Sequence, residues 1–491
     1  ATNDMTENIV SQSNTIGLRI VLVLLTELSS FLFSGSVFGW APMLLMLRKE
    51  GLFANLCTEG EWCDAQQIQL GVIFTITAVV YSASGIFVGT FLDVFGPANG
   101  VLVGALCNLL GFYLFAGSWS WASPAIITFG YSLIGVGGMF FFQCAFKAQY
   151  AFPFRDAVTG DLKYDKQTMI IAGATTLGDA SVLVWLVFEF FYSTYNLSLV
   201  SLFKYYSIVT LVIAVPLFIL WTICSEEILK AGETGEADED ETVCPVDTEE
   251  AGYGAVSKDQ IETYKLLSTK SISEQLMSLE FFMVFLFQCV HSTRANIFLG
   301  LLPYFYESSQ FKGASMRKVT RYVNFTSALV PLGCLCAPLV DGLIHNLGFG
   351  RTAQFIALLA CAQSLIMLSD SLRWQILAAL IFVVYRANVF AYPPAFSGHV
   401  FGPRTVGTMT GLIFTLASPV QFIISPALQT TLTTFQDNFR PLNAFEAACL
   451  IPLVVVTWIL VTKSQEPGIG LPVEKKKNQQ TNDSELRGLK S

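Results

Sequence analysis

Twelve apolar runs, each near the ~20 residues that a helix needs to cross a bilayer, limit what this chain can fold into. They lie near Ile20–Leu47, Gln69–Leu92, Pro97–Gly117, Ala122–Phe146, Met169–Tyr192 and Leu199–Cys224. The second set lies near Leu276–Tyr306, Tyr322–Ile344, Thr352–Leu368, Trp374–Ser397, Val406–Leu432 and Asn443–Val461. Backbone groups in lipid must find partners inside their own segment, so runs of this length read as helices. A composition 53% apolar and only 13% charged agrees with an all-α membrane protein of two six-helix bundles. The first run is about 27 residues long and reads as a retained span rather than a cleaved leader. An even number of spans puts both termini and the segment between the bundles on one side.

That segment, Ser225–Ser273, carries thirteen Asp or Glu against four Lys, a net of -9 that equals the charge of the whole chain. The rest is therefore charge-balanced, and the acidity belongs to one linker. The expected organisation is a bundle over 1–224, an acidic cytosolic linker over 225–273, a second bundle over 274–463 and a cytosolic tail over 464–491. In the linker, Ile261, Tyr264 and Leu267 share a helical stripe, either a short surface helix or loose chain. Glu233–Glu250 reads as chain without fixed structure. The basic residues of short loops, with Lys147 and Arg404 counted on the terminus side, are spread over both sides, so orientation rests on Lys475–Lys477 and the Asn196-Leu197-Ser198 sequon, which put the termini in the cytosol. No basic stripe suggests nucleic acid. No catalytic constellation suggests an enzyme, and no Cys/His cluster suggests a metal or other cofactor.

Charges inside the hydrocarbon are costly and mark pathways or buried pairs. Glu27, Asp179, Glu189, Arg294 and Arg386 are the candidates. Arg294 stands mid-span between His291 and Asn296, ahead of Gly300 and Pro303. It either contacts a ligand or forms a structural pair with Asp179 or Glu27. Arg386 and Asn388 precede Pro393-Pro394, which should kink or break the tenth helix beside buried polar groups. Asp179 lies among small residues in Gly173–Ser181, which leave room for a cavity or for a close helix. Cys57 and Cys63 share one polar loop and either pair, if it faces an oxidising compartment, or stay free.

The halves echo each other at their second spans, where Asp93 in Gly89–Gly96 ends the second span as Asp341 in Pro338–Gly348 ends the eighth. Such an acid at equivalent ends is what internal duplication leaves behind. Gly85/Gly89, Gly100/Gly104 and Gly407/Gly411 repeat at four-residue spacing, for static packing or for a sliding contact.

Several segments together resemble solute carrier family 43 of the major facilitator superfamily. They are Phe38-Gly-Trp40-Ala-Pro-Met, Lys49–Phe53 with Leu56-Cys57, Cys63–Gln66, Leu70–Phe74, Gly173–Ser181, Arg294–Gly300 and Asn388–Phe396 through Gly402 to Gly407. The resemblance touches both halves but neither linker nor tail. It implies twelve helices, alternating access, a midplane site, an outward first loop and a Cys57–Cys63 bridge. Carried over by position, it puts Asp179, Arg294, Asn296 and Asn388 near the cavity; Arg386 joins them as a substrate-binding candidate from its own mid-span position. In that fold an acid placed like Asp93 or Asp341 accepts N–H groups at the start of a neighbouring helix, so both are gating candidates. The chain departs from the pattern at Glu189, where the family tends to have a basic residue, and at Pro97-Ala-Asn, where basic residues usually follow Gly96.

The implied function is sodium-independent facilitated diffusion of neutral amino acids, most readily at the plasma membrane, with an organelle membrane as the other setting. Polar groups near Arg294 and Asn296 would take the carboxylate. A nucleobase substrate is one alternative. Proton coupling through Glu27, Asp179 or Glu189 is another. A non-transporting receptor or accessory subunit, docking a protein partner through linker or tail, is the rival of another class. Apart from a small-molecule substrate and the lipid bilayer, the sequence names no partner.

Overall fold

The computed structural model describes residues 2–57, 63–117, 123–155, 162–164, 166–237, 267, 270–311, 315–401 and 405–463. Span 1 is α1 (Thr2–Ser29), continued through a π turn (Ser30–Ser34) and a 3₁₀ turn (Ser36–Phe38) into α2 (Trp40–Lys49). Span 2 is α3 (Asp64–Ala83) with the start of α4 (Gly85–Gly117), whose remainder after Gly96 is span 3. Span 4 is α5 (Pro124–Lys147), span 5 is α6 (Gln167–Ala180) with α7 (Leu183–Tyr195), and span 6 is α8 (Leu199–Ala237). A short helix α9 (Ile272–Leu276) leads into span 7, α10 (Leu279–Glu307).

Span 8 is α11 (Met316–Leu329), a 3₁₀ segment (Val330–Cys336) and the start of α12 (Ala337–Met367), which becomes span 9 after Gly348. Spans 10 to 12 are α13 (Leu372–Val400), the broken pair α14 (Val406–Ala417) and α15 (Ile424–Thr433), and α16 (Arg440–Lys463). Among the described residues, ten segments have the length and hydropathy to cross a membrane; the 54-residue Asp64–Gly117 turns at Gly96 and so passes twice. With α16 the described passes number twelve.

The turns at Gly96 in α4 and Gly348 in α12 both need glycine. Gly96 sits at φ 79° and Gly348 at φ 76°, in the region that an L side chain enters only at a cost. They fall between spans 2 and 3 and between spans 8 and 9, so the duplication is visible in the backbone itself. It also corrects the register expected for the acids. Asp93 stands three residues before its turn and Asp341 seven before its own, so they are one helical turn out of equivalence.

Local chemistry explains the other boundaries. Ser278 caps α10 by accepting from Phe281 N (3.2 Å). Glu274 closes a box on Ser271, whose N (3.1 Å) and hydroxyl (2.9 Å) donate to it and hold its carboxyl below the usual range. α13 runs unbroken through Pro393 and Pro394, so of the kink or break expected there the break does not occur. Every residue from Tyr385 to Ser397 is buried, and protein packing tolerates the lost ladder bonds where lipid would not. A two-stranded ribbon, β1 (Pro153–Arg155) on β2 (Leu162–Tyr164), closes the loop between spans 4 and 5.

The halves meet along two seams, span 2 against span 11 and span 5 against span 8. On the first seam small residues let backbones touch. A Cβ on Gly89 would lie 2.4 Å from Gly407 O, and one on Gly411 would lie 2.4 Å from Gly85 O. Two of the three glycine pairs thus face each other across the halves. The third, Gly100/Gly104, packs inside the first half against Leu92 and Phe140.

Cys57 and Cys63 are joined, with Cα atoms 5.7 Å apart; their end of the bundle is here the disulfide side, and the opposite end the linker side. The linker stretch 238–266 and the tail 464–491 lie outside the described residues, as does Arg404. Of the proposed stripe only Leu267 is described. It is 6% exposed, and its carbonyl accepts from Gln275 Nε2 (2.9 Å).

Candidate functional site

Midway along the bundle, one ion pair crosses between the halves. Asp179, on α6, sits 2.9 Å from Arg386 Nη2, on α13. Their side chains are 9% and 2% exposed, in surroundings where an isolated charge would be prohibitive. The guanidinium is held between rings from both halves, Phe38 at 5.1 Å and Phe390 at 4.5 Å. Phe38 in turn packs edge-on against Tyr81 at 5.0 Å.

The pair is incomplete. Asp179 Oδ2 and Arg386 Nε and Nη1 are buried and, among the described residues, have no hydrogen-bond partner. Buried polar atoms are nearly always paired, so unfilled ones clustered at one place mark a site built for water or a ligand. Asn388 and Asn296 follow the same pattern. Asn388 Nδ2 donates to Val384 O of its own helix (2.8 Å), and its Oδ1 is left over. Asn296 Nδ2 donates to Gln421 Oε1 (3.0 Å), and Gln421 Nε2 donates to Ser82 Oγ (2.8 Å), tying spans 7, 11 and 2 together. Asn296 Oδ1 is again unfilled.

Arg294 is placed differently from the other four. It points into the second half, where Nη1 donates to Gln363 Oε1 (2.9 Å), Nε and Nη2 donate to Ser364 Oγ (3.1 and 2.8 Å), and Glu446 Oε2 lies 3.6 Å from Nε. Its partner is therefore Glu446 on span 12, neither Asp179 nor Glu27. Tyr385 lies under the guanidinium at 5.0 Å and donates its hydroxyl to His291 O (2.9 Å), so that the hydroxyl oxygen accepts from His291 Nδ1 (3.1 Å). Glu446 is the residue that sequence reasoning missed; one acid near the start of the last apolar run was its only signal.

On the linker side, Asp93 reaches across the first seam. It accepts from Thr408 N (3.0 Å) and Thr408 Oγ1 (2.7 Å) in the first turn of α14, and it pairs with Lys147 of α5. A carboxylate there completes orphan N–H groups of a helix start. Lys147, counted in the sequence as a loop charge, is 8% exposed. Asp341 is half-buried and, among the described residues, has no such partner.

On the disulfide side, Arg48 Nη1 donates to both oxygens of Glu307 (2.8 and 3.1 Å), and the Tyr304 hydroxyl donates to Gln67 O (3.1 Å). Gly300 admits the Phe74 ring, which a Cβ would meet at 2.2 Å. Each end thus carries polar contacts between the halves. Glu27 faces Gly173, whose Cβ would lie 3.5 Å from its carboxylate, and its Oε2 is buried without a partner among the described residues. Glu189 is half-buried on α7, in the same span as Asp179, and has no ion-pair partner among the described residues. No His, Cys, Asp or Glu cluster among the described residues is arranged to hold a metal.

Comparison with known proteins supplies the context. A solved proton:xylose symporter, XylE, superposes with a TM-score of 0.61 over 92% of this chain and 96% of its own, at 13% identity. The chain has the fold of a major facilitator transporter. Protein FMP42 of Saccharomyces cerevisiae is 23% identical over 487 residues, covering 87% of this chain and 91% of that protein. The large neutral amino acids transporter small subunit 3 of Mus musculus is 36% identical over 88 residues, which is 15% of this chain and 16% of that protein. No protein-family model matches. The solved neighbours carry the names of carriers, not enzymes, and this transporter fold has its buried ion pair at the centre.

Proposed function

We propose that the chain is an alternating-access carrier of amino acids, moving neutral zwitterions down their gradient without sodium. The observation that carries this reading is the unfinished pair between the halves. Arg386 keeps two donor nitrogens free for a carboxylate, and Asp179 keeps one acceptor oxygen free for an ammonium, a few ångströms away. A zwitterion satisfies both at once and adds no net charge to a buried site. Phe38, Phe390 and Tyr81 enclose the region apolarly. The local likeness to a large neutral amino acid transporter supports the same class. The carboxylate role assigned to Arg294 from sequence passes to Arg386, because Arg294 already spends its donors on Gln363 and Ser364.

In this mechanism the halves rock about the centre, and Asp93 with Thr408 and Arg48 with Glu307 close the two ends alternately. The test is uptake into proteoliposomes alongside ligand-dependent thermal stabilisation, with leucine-like and adenine-like ligands in competition. Neutral amino acids should stabilise the wild type and not Arg386→Ala, and uptake should persist when sodium is replaced by choline. Preference for adenine-like ligands would move the assignment to nucleobases.

Glu27 favours a second reading, proton coupling, because its carboxylate has a buried oxygen without a described partner. Uptake that concentrates substrate under an imposed pH gradient, and loses that ability in Glu27→Gln, would establish it.

A further inference from the structure

The first turns of span 8 form a cleft of about 660 Å³ on the disulfide side, lined by Arg317, Thr320, Arg321, Asn324 and Phe325. These positions follow the i, i+3, i+4, i+7, i+8 rule, so they make one face of α11. The opposite face, with Val319 and Val323 at 5% and 2% exposure, packs into the bundle. Arg317 and Arg321 are exposed one turn apart, and among the described residues neither guanidinium meets a carboxylate. The apolar run of this span starts at Tyr322, immediately after Arg321, so the two arginines stand at the level where headgroups lie.

Below them the same span turns apolar side chains outward: Phe325, Leu332, Leu335 and Leu339 are 43%, 48%, 73% and 42% exposed. A basic pair over an apolar strip matches one kind of molecule, an anionic phosphate headgroup with its acyl chain beneath. Arginine presents a planar fork of donors suited to a phosphate, and two forks one turn apart can bracket it while Asn324 supplies a further polar contact.

We propose that the Arg317–Arg321 cleft binds an anionic phospholipid in the leaflet of the disulfide side, with Phe325 and Leu332 against its acyl chain. The site is independent of the central pair and of what the carrier moves.

The experiment is thermal unfolding of the full-length protein in detergent, titrated with phosphatidylglycerol, with phosphatidylcholine and with inorganic phosphate. Phosphatidylglycerol should raise the midpoint by about 3–6 °C in the wild type, as expected for a ligand well above its dissociation constant. The rise should shrink below about 1 °C in Arg317→Ala/Arg321→Ala and survive in Arg351→Ala, which removes an exposed cation on the linker side. Both variants alter exposed side chains, and equal midpoints in phosphatidylcholine show that they fold. An equal response in the double variant, or equal stabilisation by phosphatidylcholine or by inorganic phosphate alone, overturns the proposal.

Discussion

Two buried arginines, Arg386 and Arg294, differ in what surrounds them. Both lie mid-span, both are at most 4% exposed, and both have one acid at or near ion-pair distance. Arg294 stays within its own half, and its nitrogens bond to Gln363 and Ser364. Arg386 reaches the other half, and two of its nitrogens have no described partner. A completed network fixes a shape, whereas an unfinished one between the halves leaves free energy to be gained from a ligand. Burial alone does not separate the two; satisfaction does.

Replacing each pair by apolar side chains should therefore give opposite results. In Asp179→Leu/Arg386→Met the fold should hold, since apolar substitution of a buried pair is often neutral or stabilising. Uptake should nevertheless fall about 10³-fold, as when a site built for hydrogen bonds loses them. In Arg294→Met/Glu446→Leu uptake should stay within about threefold of wild type, because nothing in contact with the substrate has changed. Uptake assays on protein of verified size-exclusion profile decide this. Transport surviving the first double variant would end the distinction drawn here.

Removing only one partner sharpens the same contrast through stability. Arg294→Ala strands Glu446 and should lower stability by about 3–5 kcal/mol, a large part of a typical margin. Adding Glu446→Leu should recover much of that loss. Denaturation in mild detergent would show it, and a single variant with normal stability but no substrate response would put Arg294 back at the centre.

The two acids beside the glycine turns form a second contrast, one step weaker. Asp93→Asn weakens charge-assisted bonds to Thr408 and leaves Lys147 buried without its partner. At about 1.5–3 kcal/mol for such a bond, the linker-side closure should weaken about tenfold or more. A cysteine placed at Ser82, between the halves, should then label faster from the linker side. Asp341→Asn should change labelling by less than a factor of about two, having no described partner to lose. Equal effects would restore the equivalence first read from the sequence.

What the sequence made legible followed from solvent. Runs of twenty apolar residues can only be helices in lipid, so twelve passes and two bundles could be read directly. Of the five mid-span charges flagged, Asp179, Arg294 and Arg386 are buried, while Glu27 and Glu189 are half-buried. Direction was not legible, because residues two apart on a helix point about 200° apart. Arg294 and Asn296 therefore diverge, one into the second half and one toward Gln421 and Ser82, and no run of letters says which side faces the seam. Lys147 was hidden for the reverse reason. It ends an apolar run and reads as a loop charge until Asp93, 54 positions away, folds onto it. The acids were misaligned because aspartate was matched to aspartate, while the repeated element was the glycine that alone permits the turn.

The smallest effect belongs to the opposite rim. Arg48 and Glu307 join the halves on the disulfide side with side chains 22% and 17% exposed, against 10% and 16% for Lys147 and Asp93. Partial exposure lets water compete for the ion pair, and pairs of this kind contribute about 0.2–1 kcal/mol. Arg48→Ala should accordingly shift the balance toward opening on the disulfide side by only about two- to fivefold, and the shift should shrink as salt is raised from 0.05 to about 0.5 M. Asp93→Asn should show little such salt dependence, because a helix start and a buried lysine hold its carboxylate. Labelling of one reporter cysteine from each side, at two salt concentrations, compares the gates directly. If Arg48→Ala proved the more severe change and salt made no difference to it, the disulfide side would be the dominant lock. The central pair would then have to open toward the linker side first.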